Sequence, residues 1–231
     1  MLNNVPAKWD AEFDLVAIGS GGGGLCAAIT AHEYGQRVLV VEKSAQVGGV
    51  TALSMGEVWV ADNHLSEAAG LKMEVIKGCP DYYYKHNDHA VAEGRMLECV
   101  PFPGESLGDW QHKTRLSPQM PYGMTHHAIF SAGGSANMMK WDFAKMGERL
   151  TRDERCLGPG LAAYFVKGAL DRGIPLWTES AAEELIADGE RVVGLRVRRA
   201  EGDVFVKANK GVVIAVSSYE RRQDFNRTLG Q

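Results

Sequence analysis

The chain has 231 residues, enough for one large domain, or a domain with an appendage, around a buried core. Hydrophobic residues make up 45% and charged residues 23%, which excludes a disordered chain. The net charge of -4, with no Lys/Arg block, excludes a dedicated nucleic-acid surface. Cys26, Cys79, Cys99 and Cys156 form no C-x-x-C pair, so they read as reduced thiols of a cytoplasmic protein rather than a disulfide or zinc framework. The N-terminal residues lack a basic segment followed by an apolar run, so no secretory signal is expected. No apolar stretch reaches ~18 residues, so no membrane span is expected.

The apolar run Phe13 to Ile18 ends in glycines and predicts a buried parallel strand. Residues 25 to 34 carry Ala, Leu and Ile at helical spacing and stop at Gly35, a helix C-cap. Arg37 to Val41 predicts a second buried strand with Glu42 at its C-terminal end. Together these make one βαβ unit. Residues 44 to 70 are loop-rich. Residues 71 to 158 hold most of the prolines and all but two of the histidines. They predict an irregular insert with one helix near Met138 to Gly147, and His126-His127 in a loop. Order returns with a helix over Leu161 to Arg172 and a strand at Ile174 to Thr178. Glu183 to Ala187, Arg191 to Arg198 and Val204 to Ala208 follow, separated by Asp188-Gly189 and Glu201-Gly202-Asp203. Those turn signals predict a three-stranded antiparallel meander. Gly211 to Val216 predicts a further buried strand. The expected class is α/β: a Rossmann-like domain with a parallel sheet, the meander and a loop-rich insert. The division is 1–70 (βαβ portion), 71–158 (insert) and 159–231 (helix, meander, buried strand).

The chemistry lies in Gly19-Ser20-Gly21-Gly22-Gly23-Gly24. A lone G-x-G-x-x-G is a weak signal in a chain with 27 glycines. Here it follows a strand and opens a helix, where N–H groups and the helix dipole favour a pyrophosphate. Gly19 permits the turn, Gly21 lets the backbone approach phosphates, and Gly24 lets the helix pack on the strand. Glu42, about 20 residues further on, has a carboxylate to accept from a ribose 2′-hydroxyl and to repel a 2′-phosphate. The competing reading of the loop is a Gly-rich βα turn without a ligand.

The next segment, Glu42-Lys43 through Gly48-Gly49-Val50-Thr51 to Ser54-Met55-Gly56 and Val58-Trp59-Val60, resembles the FAD signature of the fumarate reductase and 3-ketosteroid Δ1-dehydrogenase superfamily. A second Gly-rich bend must pass close to the pyrophosphate and flavin, and small residues avoid conflict there. Met55 departs from the family, which usually has glycine at that position. The resemblance resumes after the meander, where Ala215 and Ser217-Ser218 stand in place of an alanine followed by a glycine pair. It aligns Ala182 with the residue whose backbone meets the adenine. It covers residues 12 to 65 and 160 to 222 and is loose between them. It implies non-covalent FAD, since no flavin-linking His is identifiable. It also implies hydride transfer at a CH–CH group next to a carbonyl or carboxylate, on a steroid-like or dicarboxylate substrate. The family's substrate-covering domain and final FAD segment would follow Gln231, so these residues alone are expected to turn over little. A second chain or a homo-oligomer is one way to complete the site.

The tyrosines Tyr82, Tyr83, Tyr84 and Tyr122 are weighed because that family uses tyrosines as acid and base near the flavin. Tyr83 and Tyr122 are the candidates, and the preferred reading is packing within a loop-rich region. His86, Asp88 and His89 are read as solvated rather than as metal ligands, so no metal is expected. Cys26 is read as a packing residue of the first helix. Two other readings stay open: an NAD-binding reductase on the same βαβ unit, and a truncated flavin-binding remnant without activity of its own.

Overall fold

A computed structural model describes residues 4–58, 97–118 and 122–216. The expected βαβ unit is present as β1 (Ala11–Ile18), α1 (Gly22–Glu33) and β2 (Val38–Val41). β1 and β2 run parallel, with Leu15 opposite Val38 and Ile18 opposite Val41. α1 ends where the sequence marks its stop: Gly35, at φ 75°, takes the left-handed conformation that caps helices.

β3 (Glu57–Val58) pairs with β4 (Leu97–Glu98), and β5 (Phe102–Pro103) pairs with β6 (Glu154–Arg155). The described part of the segment expected to be irregular is more regular than its sequence suggests. It carries a 3-10 helix over Gly104–Trp110, helix α2 (His126–Ser131), a 3-10 helix over Ser135–Lys140 and helix α3 (Phe143–Thr151). The single helix expected near Met138 to Gly147 is therefore two pieces, separated by an extended Trp141. The loop expected at His126-His127 is instead the start of α2. Thr125 caps it by accepting from the Ala128 N–H at 3.1 Å. Short helices set by caps leave little periodicity to read.

Helix α4 (Leu157–Asp171) starts before the Leu161 expected from the sequence. Gly158-Pro159-Gly160 reads as a breaker, yet proline is tolerated in the first turn, where its missing N–H has no intrahelical acceptor to lose. β7 (Leu176–Trp177), β8 (Ala181–Asp188), β9 (Arg191–Arg199) and β10 (Gly202–Ile214) complete the main sheet. Its order is β7-β2-β1-β10-β9-β8. β7, β2, β1 and β10 are parallel neighbours, while β10, β9 and β8 form the antiparallel meander. The two separate strands expected at 204–208 and 211–216 are one strand. The Asn209-Lys210 pair that looks like a break is a bulge opposite β1, between the partners of Phe13 and Leu15. The meander and the parallel sheet are thus one continuous mixed sheet.

Alternate residues of the central strands feed two cores. Ala17, Val38 and Val40 pack with Leu25 and Ala28 of α1 and Ala163, Val166 and Ala169 of α4. Val16, Leu39 and Val41 pack on the other face with Leu195, Val197 and Val206. Cys26, expected to pack, is exposed on α1; the helix buries Leu25 and Ala28 instead. Among the described residues, no helix is long and apolar enough to cross a membrane. A third cluster joins Met124, Ile129, Cys156 and Leu157. Beside it, Arg155 is 1% exposed and donates from Nε and Nη2 to the Asp153 carboxylate at 2.9 and 2.7 Å.

Candidate functional site

The first glycine loop turns between the end of β1 and the start of α1, at the C-terminal edge of the parallel strands. This edge is where open α/β sheets bind ligands. The four glycines Gly19, Gly21, Gly24 and Gly49 have different neighbours. A Cβ on Gly24 would lie 1.9 Å from the Gly19 carbonyl oxygen, and one on Gly19 would lie 2.5 Å from the Ala215 oxygen. One on Gly49 would lie 2.9 Å from the Gly21 Cα. The protein itself requires these three. Gly21 has φ -72° and ψ 177°, open to any residue. Among the described residues, a Cβ there would meet only Thr51 Oγ1, at an ordinary 3.7 Å. No described neighbour requires a glycine at this position, whereas a ligand approaching the backbone would.

Gly22 donates its N–H to Thr51 Oγ1 at 2.8 Å, tying the second bend to the first. Gly23 is exposed and Gly24 buried on the first turn of α1, where N–H groups lack intrahelical acceptors and attract anions. Glu42 faces this loop. Its Oε2 accepts from the Ser20 N–H at 3.1 Å and from Ser20 Oγ at 2.6 Å, and its Oε1 accepts from the Ser44 N–H at 2.9 Å. It is 9% exposed. Lys43 is exposed.

The second bend runs through Gly48 and Gly49 to a 3-10 turn at Thr51–Leu53, with Val50 at its N-terminus and half exposed. Ser54 Oγ donates to the Thr51 carbonyl at 2.8 Å and accepts from the Gly56 N–H at 3.0 Å, so its hydroxyl serves the turn. Gly56, at φ 71°, lies against Leu157, where a Cβ would approach the backbone to 2.2 Å. Met55, at the position where the resemblance expects glycine, packs against the third cluster. Among the described residues its side chain has that apolar outlet, which accounts for the departure.

Ala215 donates its N–H to the Ile18 carbonyl at 2.9 Å and lies against Gly19, Gly23 and Gly24. Ala182, the second residue of β8, stands opposite Val197. It lies two residues beyond Ser180, whose N–H donates to the Glu42 carbonyl at 2.8 Å. Tyr122 is half-buried, and its carbonyl accepts from the Cys156 N–H at 2.7 Å. Tyr83, Ser217, and His86, Asp88 and His89 lie outside the described residues.

The sequence reading missed two features. Lys113 to Arg115 dock along the second bend: the Val47 N–H donates to the Lys113 carbonyl at 2.8 Å, the Arg115 N–H donates to the Val47 carbonyl at 2.9 Å, and Arg115 Nη2 reaches Ser44 Oγ at 3.1 Å. Gly158 is the second, with Ser54 and Thr51 carbonyl oxygens 2.4 and 2.5 Å from its would-be Cβ. Neither contact has a local sequence signal. Another cleft, lined by Glu12, His32, Arg37 and Gly173, lies at the opposite end of β1 and β2 and shares no residue with the cradle.

A mixed α/β sheet with a glycine cradle, a helix N-terminus and an acid at the next strand end defines a dinucleotide-binding protein. The FAD binding domain family matches residues 14–230, and the chain belongs to it. Its cofactor is FAD. The open space above Gly21 and the orientation of Glu42 fit that group. The chain is 43% identical to 3-oxosteroid 1-dehydrogenase of Mycobacterium tuberculosis over 273 residues, covering 92% of this chain and 48% of that protein. It is 28% identical to NADH:fumarate oxidoreductase of Klebsiella pneumoniae over 215 residues, covering 90% of this chain and 20% of that one. Among solved structures it is similar to 3-ketosteroid delta1-dehydrogenase from Sterolibacterium denitrificans in complex with 1,4-androstadiene-3,17-dione. There the TM-score is 0.71 at 26% identity, over 94% of this chain and 50% of that one. The chain therefore spans half or less of the length of these three relatives.

Proposed function

We propose that this chain is the FAD-holding part of a flavoprotein oxidoreductase that acts on a CH–CH group next to a carbonyl or carboxylate. The observation that carries the cofactor site is Gly21: a glycine in an ordinary extended conformation, its Cβ direction open, at the N-terminus of α1 and beside Glu42. The N–H groups at the start of α1 receive the pyrophosphate, and Gly21 keeps the approach clear. Glu42 accepts from the adenosine ribose. Gly48 and Gly49 bring the second bend against the first, with Val50, Thr51 and Ser54 to Gly56 continuing along the flavin side. Ala182 borders the adenine, Ala215 borders the first loop, and Ser217 is a further candidate FAD contact from the resemblance. Lys43, exposed, contributes positive charge at the rim. FAD, held non-covalently, supplies hydride transfer. The chain's own residues bind and orient it. The 1–70, 71–158 and 159–231 division gives the cradle, an insert beside it, and the helix and sheet that close the domain.

The substrate reading is a 3-ketosteroid, supported by the 43% identity to the Mycobacterium tuberculosis 3-oxosteroid 1-dehydrogenase. The match to NADH:fumarate oxidoreductase supports a dicarboxylate as the second reading. The acid and base are unassigned; Tyr122 and Tyr83 are the candidates, as phenols that polarise a ketone or accept a proton, beside the preferred reading of packing. The wide spacing of Cys26, Cys79, Cys99 and Cys156, with no C-x-x-C pair, supports a reducing, cytoplasmic setting.

The visible spectrum of the purified chain tests the cofactor, with the bands of oxidised flavin expected. Tight NAD binding without flavin would overturn it. Anaerobic bleaching of bound flavin by a 3-ketosteroid, against reoxidation of reduced flavin by fumarate, then decides the substrate class.

A further inference from the structure

Ser20 stands at the one non-glycine position of the first glycine loop. Its hydroxyl turns inward, and the residue is fully buried. Oγ donates to Glu42 Oε2 at 2.6 Å and accepts from the Gly48 N–H at 3.2 Å. The Ser20 N–H donates to the same Oε2 at 3.1 Å, and the Ser20 carbonyl accepts from the Gly48 N–H at 3.1 Å. One residue thereby joins the first loop, the acid at the end of β2 and the second bend.

These bonds leave Glu42 little freedom. A carboxylate offers about four lone-pair sites. Ser20 occupies both sites on Oε2, and the Ser44 N–H, at 2.9 Å, occupies one on Oε1. Among the described residues, one acceptor site, on Oε1, is left for a ligand. We propose that Ser20 is a positioning residue for the adenosine ribose: it holds Glu42 so that Oε1 alone accepts from the ribose 2′-hydroxyl. The inference rests on the dinucleotide reading above and deepens it. A carboxylate held in place before the ligand arrives loses no rotamer freedom on binding, so its single hydrogen bond discriminates more sharply between ribose and deoxyribose. Buried, and with its hydroxyl engaged by Glu42 and Gly48, Ser20 acts through Glu42, which distinguishes it from Gly21.

The test is competition of ADP and 2′-deoxy-ADP against FAD on the full chain. The wild type is expected to prefer ADP by about tenfold, the worth of one hydrogen bond to a charged group. Ser20→Ala should cut that preference to about twofold, with a smaller loss of affinity for 2′-deoxy-ADP than for ADP. Ser20→Gly, which removes the same hydroxyl in a loop otherwise built of glycine, should behave alike. A scaffolding role would weaken both nucleotides equally, and an unchanged ratio would overturn the proposal. So would a wild type that binds both nucleotides equally, or two variants that fail to fold. A wild type that binds neither FAD nor ADP would overturn the dinucleotide reading itself.

Discussion

Replacing Gly21 by valine should separate cofactor binding from folding. The backbone there, at φ -72° and ψ 177°, suits an L-residue, and among the described residues the added Cβ would meet only Thr51 Oγ1 at 3.7 Å. Valine is a poorer helix N-cap than glycine, which costs roughly 0.5–1 kcal/mol. Restricting the unfolded chain returns about 0.4–1 kcal/mol. The cofactor-free protein should therefore unfold within about 2–4 °C of the wild type. The valine methyls, however, project into the space assigned to the pyrophosphate. Losing two charge-assisted hydrogen bonds, at about 1.5–3 kcal/mol each, weakens FAD by at least about 100-fold. Thermal unfolding with and without FAD reads both quantities. The wild type should gain about 2.7 kcal/mol at a FAD concentration 100 times its Kd, and Gly21→Val should gain almost nothing. The contrasting variant is Gly24→Val, whose Cβ would sit 1.9 Å from the Gly19 carbonyl oxygen and should prevent folding. Wild-type FAD affinity in Gly21→Val would show that the loop is not the phosphate cradle. Failure of its cofactor-free form to fold would show that the glycine is structural.

Asp153→Ala strips the buried Arg155 guanidinium of its carboxylate. It should cost about 3 kcal/mol, the lower end for a broken buried pair because the Asp153 side chain keeps 24% exposure; denaturant unfolding measures it. Burial opposes ionisation of Asp153, but hydrogen bonds from Arg155 and Gln111 and the Arg155 charge outweigh it, so its carboxyl titrates below the ordinary value. Its stabilisation is therefore present above the unfolded value of about 4 and is lost as pH falls through the lower, folded value. Asp153→Asn should flatten that acid limb of the stability curve, and an unchanged acid limb would count against the ion pair. Acid precipitation of the holoprotein should leave the yellow colour in the supernatant, and colour in the pellet would indicate a covalent flavin.

Much of the cradle was legible in the chain itself. The strand, the glycine loop, the helix stop at Gly35 and the acid at position 42 are neighbours in sequence. Local sterics and short continuous apolar runs therefore determine that unit before any distant contact forms. The resemblance in Gly48-Gly49 and Ser54-Met55-Gly56 pointed to the second bend for the same reason. Tertiary structure decided the rest. Whether 204–208 and 211–216 are two strands or one depended on β1, whose pairing absorbs Asn209-Lys210 as a bulge. Gly158-Pro159-Gly160 forms the first turn of α4, and position 158 must be glycine there because the Ser54 and Thr51 carbonyls lie where its Cβ would stand. The direction of the Ser20 hydroxyl was set by Glu42 and Gly48, both more than twenty residues away along the chain. Side-chain orientation is chosen by whichever partner packing brings near, and that choice is written in contacts across the fold rather than in the local run of residues.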